Sequence, residues 1–331
     1  MGHSDNMKNL HNVLLTQWYQ PQKWGWSLWP LAKLFNLLVR FRHYCYKNKF
    51  FTSHKVSVPV VVVGNITVGG AGKTPLVIFL AQLLQQQGLR PGILLRGYKN
   101  TAKTSLFVYA NADPKVVGDE AVLLAKRCSC PVVVSKDRVA GANKLIRDHK
   151  VEVILCDDGL QHYALQRDIE IAVIDGARGF GNGYSLPMGP LRELPNRLES
   201  VDFTVTNGAD MLLEIGEVYS LLNPRRKISL ENFVGKTVHA VAGIGHPERF
   251  FRQLRDLGIK VIPHAFPDHH VFKMADISFS HRLPVLMTEK DAVKCTNFAN
   301  DEHWVVAISA VLANNFTEEF CKKMQGVINA R

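Results

Sequence analysis

The sequence lacks cysteines at C-x-x-C spacing. Its six cysteines (Cys45, Cys128, Cys130, Cys156, Cys295 and Cys321) are scattered, and Cys128-x-Cys130 has no second pair to complete a zinc site. Reduced, mostly buried cytosolic thiols are expected rather than a disulfide framework. Acidic residues are scarce, 29 Asp and Glu against 40 Lys and Arg, leaving a formal net charge of +11. That balance suits an anionic partner such as a nucleotide, a nucleic acid or a phospholipid, although a solubilising surface would also explain it. No recognised nucleic-acid-binding motif accompanies the charge. The N-terminal apolar stretch is broken by Lys33, Asn36 and Arg40 within fewer than the ~20 residues that span a bilayer. It also lies too far in, with no small-residue cleavage site after it, for a signal peptide. What remains is ordinary globular material, 47% hydrophobic and 21% charged over 331 residues. That suffices for a sizeable core and two domains.

The first residues, Met1 to Lys8, read as a disordered leader. Trp24-Gly-Trp-Ser-Leu-Trp29-Pro30 then opens a helical pattern from Leu31 to about Lys47. Lys33, Asn36, Arg40, His43 and Lys47 recur at steps of three or four, forming one polar stripe. Leu31, Leu34, Phe35, Leu37, Leu38, Phe41 and Tyr44 cover the rest. A basic stripe with tryptophans at the helix start fits a helix lying in a membrane interface. The plainer alternative is an amphipathic helix docked on the protein's own core.

Val58-Pro-Val-Val-Val-Val63 reads as a buried parallel strand. Gly64-Asn-Ile-Thr-Val-Gly-Gly-Ala-Gly-Lys-Thr-Pro75 follows, then a helix from about Pro75 to Gln87 closed by Gly88. Strand, glycine-rich loop, Gly-Lys-Thr and helix give the context that a P-loop requires. Backbone N–H groups from Thr67, Val68, Gly69, Gly70, Ala71 and Gly72 would curl around phosphate oxygens of ATP at a helix N-terminus. Lys73 would reach the β- and γ-phosphates, and the Thr74 hydroxyl would hold Mg²⁺. Thr67 stands where the strict pattern G-x-x-x-x-G-K-[ST] has glycine.

A second apolar strand, Val151 to Cys156, ends in Asp157-Asp158-Gly159, the Walker B position, where one Asp would hold Mg²⁺. Asp119 and Glu120 precede an apolar helix; they suit its first turn, and a kinase also needs a carboxylate to orient the attacking hydroxyl. A third strand, Asp168 to Asp175, is followed by a Gly/Pro-rich loop carrying Arg178 and Arg192, which suggests a phosphate contact or a mobile surface loop. From about Ser229 the β–α alternation restarts as a second, smaller α/β unit without another GK[ST]. The boundaries read as 1–48 for leader and amphipathic helix, 49–208 for the P-loop lobe, 209–232 for a connector that can hold strands, and 233–331 for the smaller lobe. Phe266-Pro-Asp268-His269-His270 could be an acid–base cluster or a loop.

Taken in order, these residues resemble the tetraacyldisaccharide 4′-kinases of lipid A biosynthesis. The resemblance runs through the Trp-rich helix, Gly64 to Pro75, Arg96-Gly-Tyr98, Gly118-Asp-Glu120 and Asp157-Asp-Gly-Leu-Gln161. It continues through Gly189-Pro-Leu-Arg-Glu193, Gly243-Ile-Gly245, Phe266-x-Asp-His269 and Thr288-Glu-Lys-Asp-Ala-Val-Lys294. In that family threonine is usual at the Thr67 position. The resemblance implies a P-loop NTPase-type α/β/α sandwich, a second α/β lobe closing over ATP, and an N-terminal amphipathic membrane helix. It implies Asp119 as base assisted by His269, and Glu120 with Asp157 and Asp158 as Mg²⁺ ligands. Arg192 and Arg138 would meet phosphates. The implied reaction is ATP-dependent phosphorylation of the 4′-hydroxyl of a lipid A disaccharide-1-phosphate precursor. The enzyme would sit on the anionic cytoplasmic face of the inner membrane and bind no nucleic acid. The rival readings are a P-loop switch NTPase or metallochaperone, which would hydrolyse ATP without a lipid acceptor, and a nucleic-acid-binding protein.

Overall fold

The computed structural model describes residues 17–20, 23–97 and 104–331. The expected leader over Met1 to Lys8, the side chain of Trp24, and Tyr98 of the Arg96-Gly-Tyr98 motif lie outside the described residues. A 3-10 turn, Lys23–Leu28, leads into α1 (Trp29–Lys47), whose Pro30 sits in the first turn, where a missing N–H costs nothing. Next come β1 (Val60–Gly64), α2 (Lys73–Gln86), β2 (Pro91–Leu95), β3 (Leu106–Val108), α3 (Asp119–Arg127) and β4 (Val132–Val134). They are followed by α4 (Arg138–His149), β5 (Val153–Asp157), β6 (Ile169–Asp175) and β7 (Phe203–Asn207). The expected connector is a hairpin of β8 (Met211–Ser220) and β9 (Lys227–Ile228), with Val218 opposite Ile228. The chain then runs through β10 (Thr237–Ala242), α5 (Pro247–Asp256), β11 (Lys260–Ala265), β12 (Val285–Thr288), α6 (Glu289–Cys295), β13 (His303–Leu312) and α7 (Asn314–Asn329). The α/β class expected from the pattern is the class observed.

The chain divides into two compact units, each assembled from separate segments. The first holds the chain up to Lys73, Val151–Leu212 and Leu312–Arg331; the second holds Thr74–Lys150 and Leu213–Val311. In the first, four parallel strands pair in the order β7-β6-β1-β5, with Val62 of β1 facing Cys156 on one side and Glu170 on the other. Every residue of β1 is buried, which is why the strand is a continuous β-branched run rather than an alternating one. The C-terminal helix α7 packs here, with Phe316 and Phe320 against Phe203. Arg331 fixes the end of the chain through Asp168 at 2.8 Å and the carbonyl of Val56.

Helix α1 belongs to this unit too, and its docked face is not its largest apolar one. Ala32 and Cys45 are buried, and Phe35, Asn36, Val39, His43 and Tyr46 are half-buried. His43 and Tyr46 pack on Tyr163. The polar stripe read from the sequence is therefore split, because Asn36 and His43 turn partly inward. Leu31, Leu34, Leu37, Leu38, Phe41 and Tyr44 are all exposed.

In the second unit, β2 pairs in parallel with β4, and β3 runs antiparallel to β4. A further parallel set runs β11-β10-β12-β13. Phe250, Phe251 and Leu254 of α5 are buried in a core with Val238 and Ala240 of β10 and Trp304 of β13. Truncating one of these phenylalanines to alanine removes about 3–5 kcal/mol.

Candidate active site

The phosphate loop runs from the end of β1 at Gly64 to the start of α2 at Lys73. The helix begins two residues before the expected Pro75, because proline in a first turn gives up only an N–H with no partner in the helix. Asn65, fully buried, organises the loop. Its Nδ2 donates to Thr67 Oγ1 and to the Gly69 carbonyl, and its Oδ1 accepts from Lys73 Nζ at 3.1 Å. Gly72 has φ +97, and a Cβ there would lie 2.6 Å from the Asn207 side chain, so only glycine fits. Asn207 closes the contact from the end of β7 by donating to the Ala71 carbonyl.

The Asp157-Asp158 pair sits beside this loop with divided roles. Asp157 ends β5 and is buried. Asp158 follows with φ +49, a left-handed conformation uncommon outside glycine that Asp adopts more readily than most residues. Its carboxylate meets Lys73 Nζ at 3.4 Å and Arg192 Nη1 at 3.1 Å. The Gly189 to Glu193 segment is no mobile surface loop. Leu191 bridges Thr67, the N–H of Val68 donates to the Pro190 carbonyl, and the N–H of Arg192 donates to the Ile66 carbonyl at 2.7 Å. Buried Glu193 accepts from Gln161 Nε2 and from the Tyr163 hydroxyl, both at 2.8 Å. Two motifs distant in sequence thus form one wall of the phosphate loop.

A third part of that wall was not readable from the sequence. Gln17 and Trp18, ahead of α1, are buried. Trp18 Nε1 donates to the Pro187 carbonyl at 2.9 Å, and the N–H of Asn182 donates to the Trp18 carbonyl. Tyr19 then lines a small hollow beside the phosphate loop with Thr67, Gly70, Asp175, Arg178 and Gly179. The Arg178 guanidinium lies over the Tyr19 ring at 5.2 Å.

The second unit holds the acid–base candidates. Asp119 is the first residue of α3, entered through Gly118 at φ +95. His269 Nδ1 lies 3.0 and 3.1 Å from the two carboxylate oxygens of Asp119. His269 also has a positive φ, +59, so its backbone is held against its own preference. Burial alone would raise the Asp119 carboxyl. The His269 hydrogen bond and the charges of Lys290 and Lys294 overcome that and hold it at about 2. Lys290 Nζ bonds Glu120 at 2.9 Å and Asp268 at 3.0 Å. Burial would lower that ammonium's pKa, but Glu120, Asp268 and Asp119 raise it above the ordinary lysine value. Lys294 Nζ lies 2.9 Å from Asp291 and 3.8 Å from Asp119.

The chain that builds this site matches a known family. Its profile, tetraacyldisaccharide-1-P 4′-kinase, matches residues 24–325. A tetraacyldisaccharide 4′-kinase of Nitrosococcus oceani is 48% identical over 326 residues, covering 96% of each chain. The chain belongs to the tetraacyldisaccharide-1-P 4′-kinase family. It is therefore a kinase. A relative of the same description from Coxiella burnetii is 45% identical over 313 residues, covering 94% of this chain and 95% of its own. The crystal structure of LpxK from Aquifex aeolicus in complex with ATP superposes with a TM-score of 0.78 at 28% identity, covering 91% of this chain and 99% of that one.

Within this family member the expected site residues fall into distinct environments. Thr67 to Lys73, Asp157, Asp158 and Arg192 gather in the first unit around the phosphate loop. Asp119, Glu120 and His269 gather in the second. Arg138 belongs to neither cluster. It is 2% exposed at the start of α4, and its Nη1 points to the Leu94 carbonyl at 3.4 Å. Its guanidinium lies against the end of β2. Lys290 and Lys294, quoted in the sequence only as part of a motif, are the residues whose part in the site the sequence reading missed.

Proposed function

We propose that this kinase carries out its family's reaction, transfer of the γ-phosphoryl of ATP to the 4′-hydroxyl of tetraacyldisaccharide 1-phosphate, with the residues above in the following roles. The phosphates of ATP lie on the backbone N–H groups of Thr67 to Gly72, with Lys73 on the β- and γ-phosphates and Arg192 beside it. Asp119 and His269 act as a pair that orients the acceptor hydroxyl and takes up its proton. With its carboxyl held at about 2, Asp119 is ionised at any working pH. A weakly basic carboxylate suits a loose phosphoryl transfer, in which orienting the nucleophile matters more than deprotonating it early.

The pairing of buried Asp119 with the half-buried His269 carries this reading, because it is a device for orienting a hydroxyl. The oxygen donors Thr74, Asp157, Asp158 and Glu120 suit Mg²⁺, a hard cation bound by one or two carboxylates plus substrate phosphates. Asp158 lies 3.4 Å from Lys73, which supports a place for it beside the phosphates in this reading. The ion, when bound, would offset charge on the transferring group.

We also assign the enzyme to the cytoplasmic, anionic surface of the inner membrane, where its acylated acceptor resides. No helix among the described residues is long and apolar enough to cross a membrane. The exposed face of α1 supports a helix lying in the interface instead. The deciding experiment is transfer of labelled γ-phosphate from ATP to the disaccharide 1-phosphate in detergent micelles, with Lys73→Ala as control. Label is expected on the lipid and lost in the variant. ATP hydrolysis without lipid labelling would favour the switch-NTPase reading.

A further inference from the structure

We propose that Lys294 is a positioning residue for the phosphoryl transfer, acting through Asp119 rather than through ATP. The proposal rests on reading Asp119 and His269 as the acceptor-orienting pair. Lys294 Nζ is almost fully enclosed, with its side chain 10% exposed, and sits over the Phe272 ring at 5.0 Å. An ammonium group in such a place is costly to desolvate unless carboxylates compensate it. Two do: Asp291 Oδ1 at 2.9 Å and Asp119 Oδ2 at 3.8 Å.

Asp291 is itself immobilised. It is fully buried, and its Oδ2 accepts from the Gly243 N–H at 2.8 Å and from Thr288 Oγ1 at 2.6 Å. The turn after β10 and the start of α6 thus fix Asp291, which fixes Lys294 in turn. Lys294 then meets the same Asp119 oxygen that lies 3.0 Å from His269 Nδ1. Lys290 and Lys294 are four apart on α6 and so share one face. They divide the work. Lys290 ties Glu120 to Asp268, the neighbour of His269, while Lys294 reaches Asp119 itself. Four carboxylates, Asp119, Glu120, Asp268 and Asp291, share two ammonium groups and one imidazole here. Asp119 Oδ1 is also held by the Glu120 N–H at 3.0 Å, so removing Lys294 loosens the Oδ2 side of the carboxylate, where it meets His269.

A double-mutant cycle separates this role from simple support of Asp291. Turnover and the KM for ATP are measured for Lys294→Met, Asp119→Asn and the double variant, using the lipid acceptor and labelled ATP. We expect Lys294→Met to lower kcat at least about tenfold while KM for ATP stays within about twofold. In the Asp119→Asn background the same change should cost less than about twofold. Lys294→Arg, which keeps the charge, should recover part of the loss. If Lys294→Met does not fold, Lys294→Gln takes its place in the cycle. Equal losses in both backgrounds, or a rise in KM that accounts for the loss, would overturn the proposal. Asp119→Asn turning over within about threefold of the parent would instead overturn the reading of Asp119 on which it rests.

Discussion

Asp119 joins two demands that usually conflict, burial and full ionisation. Its carboxyl is held at about 2 although burial pushes it upward, because His269, Lys290 and Lys294 favour the charged form. A depressed folded-state value means that its contribution to stability is complete above the ordinary carboxylate range, near 4, and is lost as pH falls through about 2. Neither transition reaches the range in which the kinase works. Asp119→Asn should therefore lower turnover by the same factor from about pH 6 to about pH 9. A ratio of rates that changes through that window would mean that a group coupled to Asp119 titrates there. Single residues were legible in the sequence only where their chemistry is local. The phosphate loop announces itself because its glycines, Lys73 and Thr74 must be contiguous. Asp119 was ambiguous, since a carboxylate in a first helical turn is also a capping preference. Lys294 entered only as the end of the Thr288 to Lys294 motif and Asn207 carried no signal, because Asp119 and Ala71, the partners that give them their places, lie 175 and 136 positions away, distances that only the tertiary fold closes.

Among elements, the informative departure is the segment ahead of α1. A reading by periodicity passes over Gln17 to Tyr19, which are too short to show a period. Yet Trp18 is 5% exposed and bonded to the Pro187 carbonyl, and the loop it holds is bonded to the phosphate loop through Pro190, Leu191 and Arg192. Gly25 is part of this fit, because a Cβ there would collide with the Gln17 side chain. Trp18→Ala removes a buried indole worth about 3–5 kcal/mol and frees one side of the loop that backs Val68. The expected result is a KM for ATP raised about fivefold or more in a protein that still melts cooperatively, checked by initial rates and thermal unfolding together. A lower melting temperature with unchanged KM would reduce the segment to a structural strap. The regular elements were easier to foresee. β10 falls on the expected residues, and β1 and β5 shift by two residues at their starts. The Gly189 to Glu193 loop was foreseen as functional, but the bridge from Leu191 to Thr67 that explains it is a backbone contact with no side-chain signature.

For the whole molecule, the proposed membrane surface rests on the net charge of +11 and the outer face of α1 together. A helix serving only its own core would dock its larger apolar side chains. Here α1 docks Ala32, Cys45, Val39, His43, Tyr46 and a single half-buried phenylalanine, Phe35, and leaves Leu37 64% and Phe41 60% exposed. Lys33, Arg40 and Lys47 are exposed beside that stripe, and the Lys33 ammonium lies over the Trp29 ring at 5.2 Å. On an anionic bilayer each basic residue near the surface adds about 1 kcal/mol, and each newly buried leucine or phenylalanine roughly 1.5–3 kcal/mol. The two contributions separate by their response to salt. Binding to vesicles containing anionic lipid should weaken as ionic strength rises and the Debye length falls from ~10 Å toward ~3 Å, without being abolished. Leu37→Glu and Phe41→Glu should each weaken the salt-resistant part by roughly tenfold or more, equivalent to about 1.4 kcal/mol. The same variants should keep their turnover on an acceptor dispersed in detergent, where the bilayer plays no part. Equal vesicle binding by the variants and the parent would show that charge alone brings the enzyme to the membrane, and that the apolar face of α1 serves another contact.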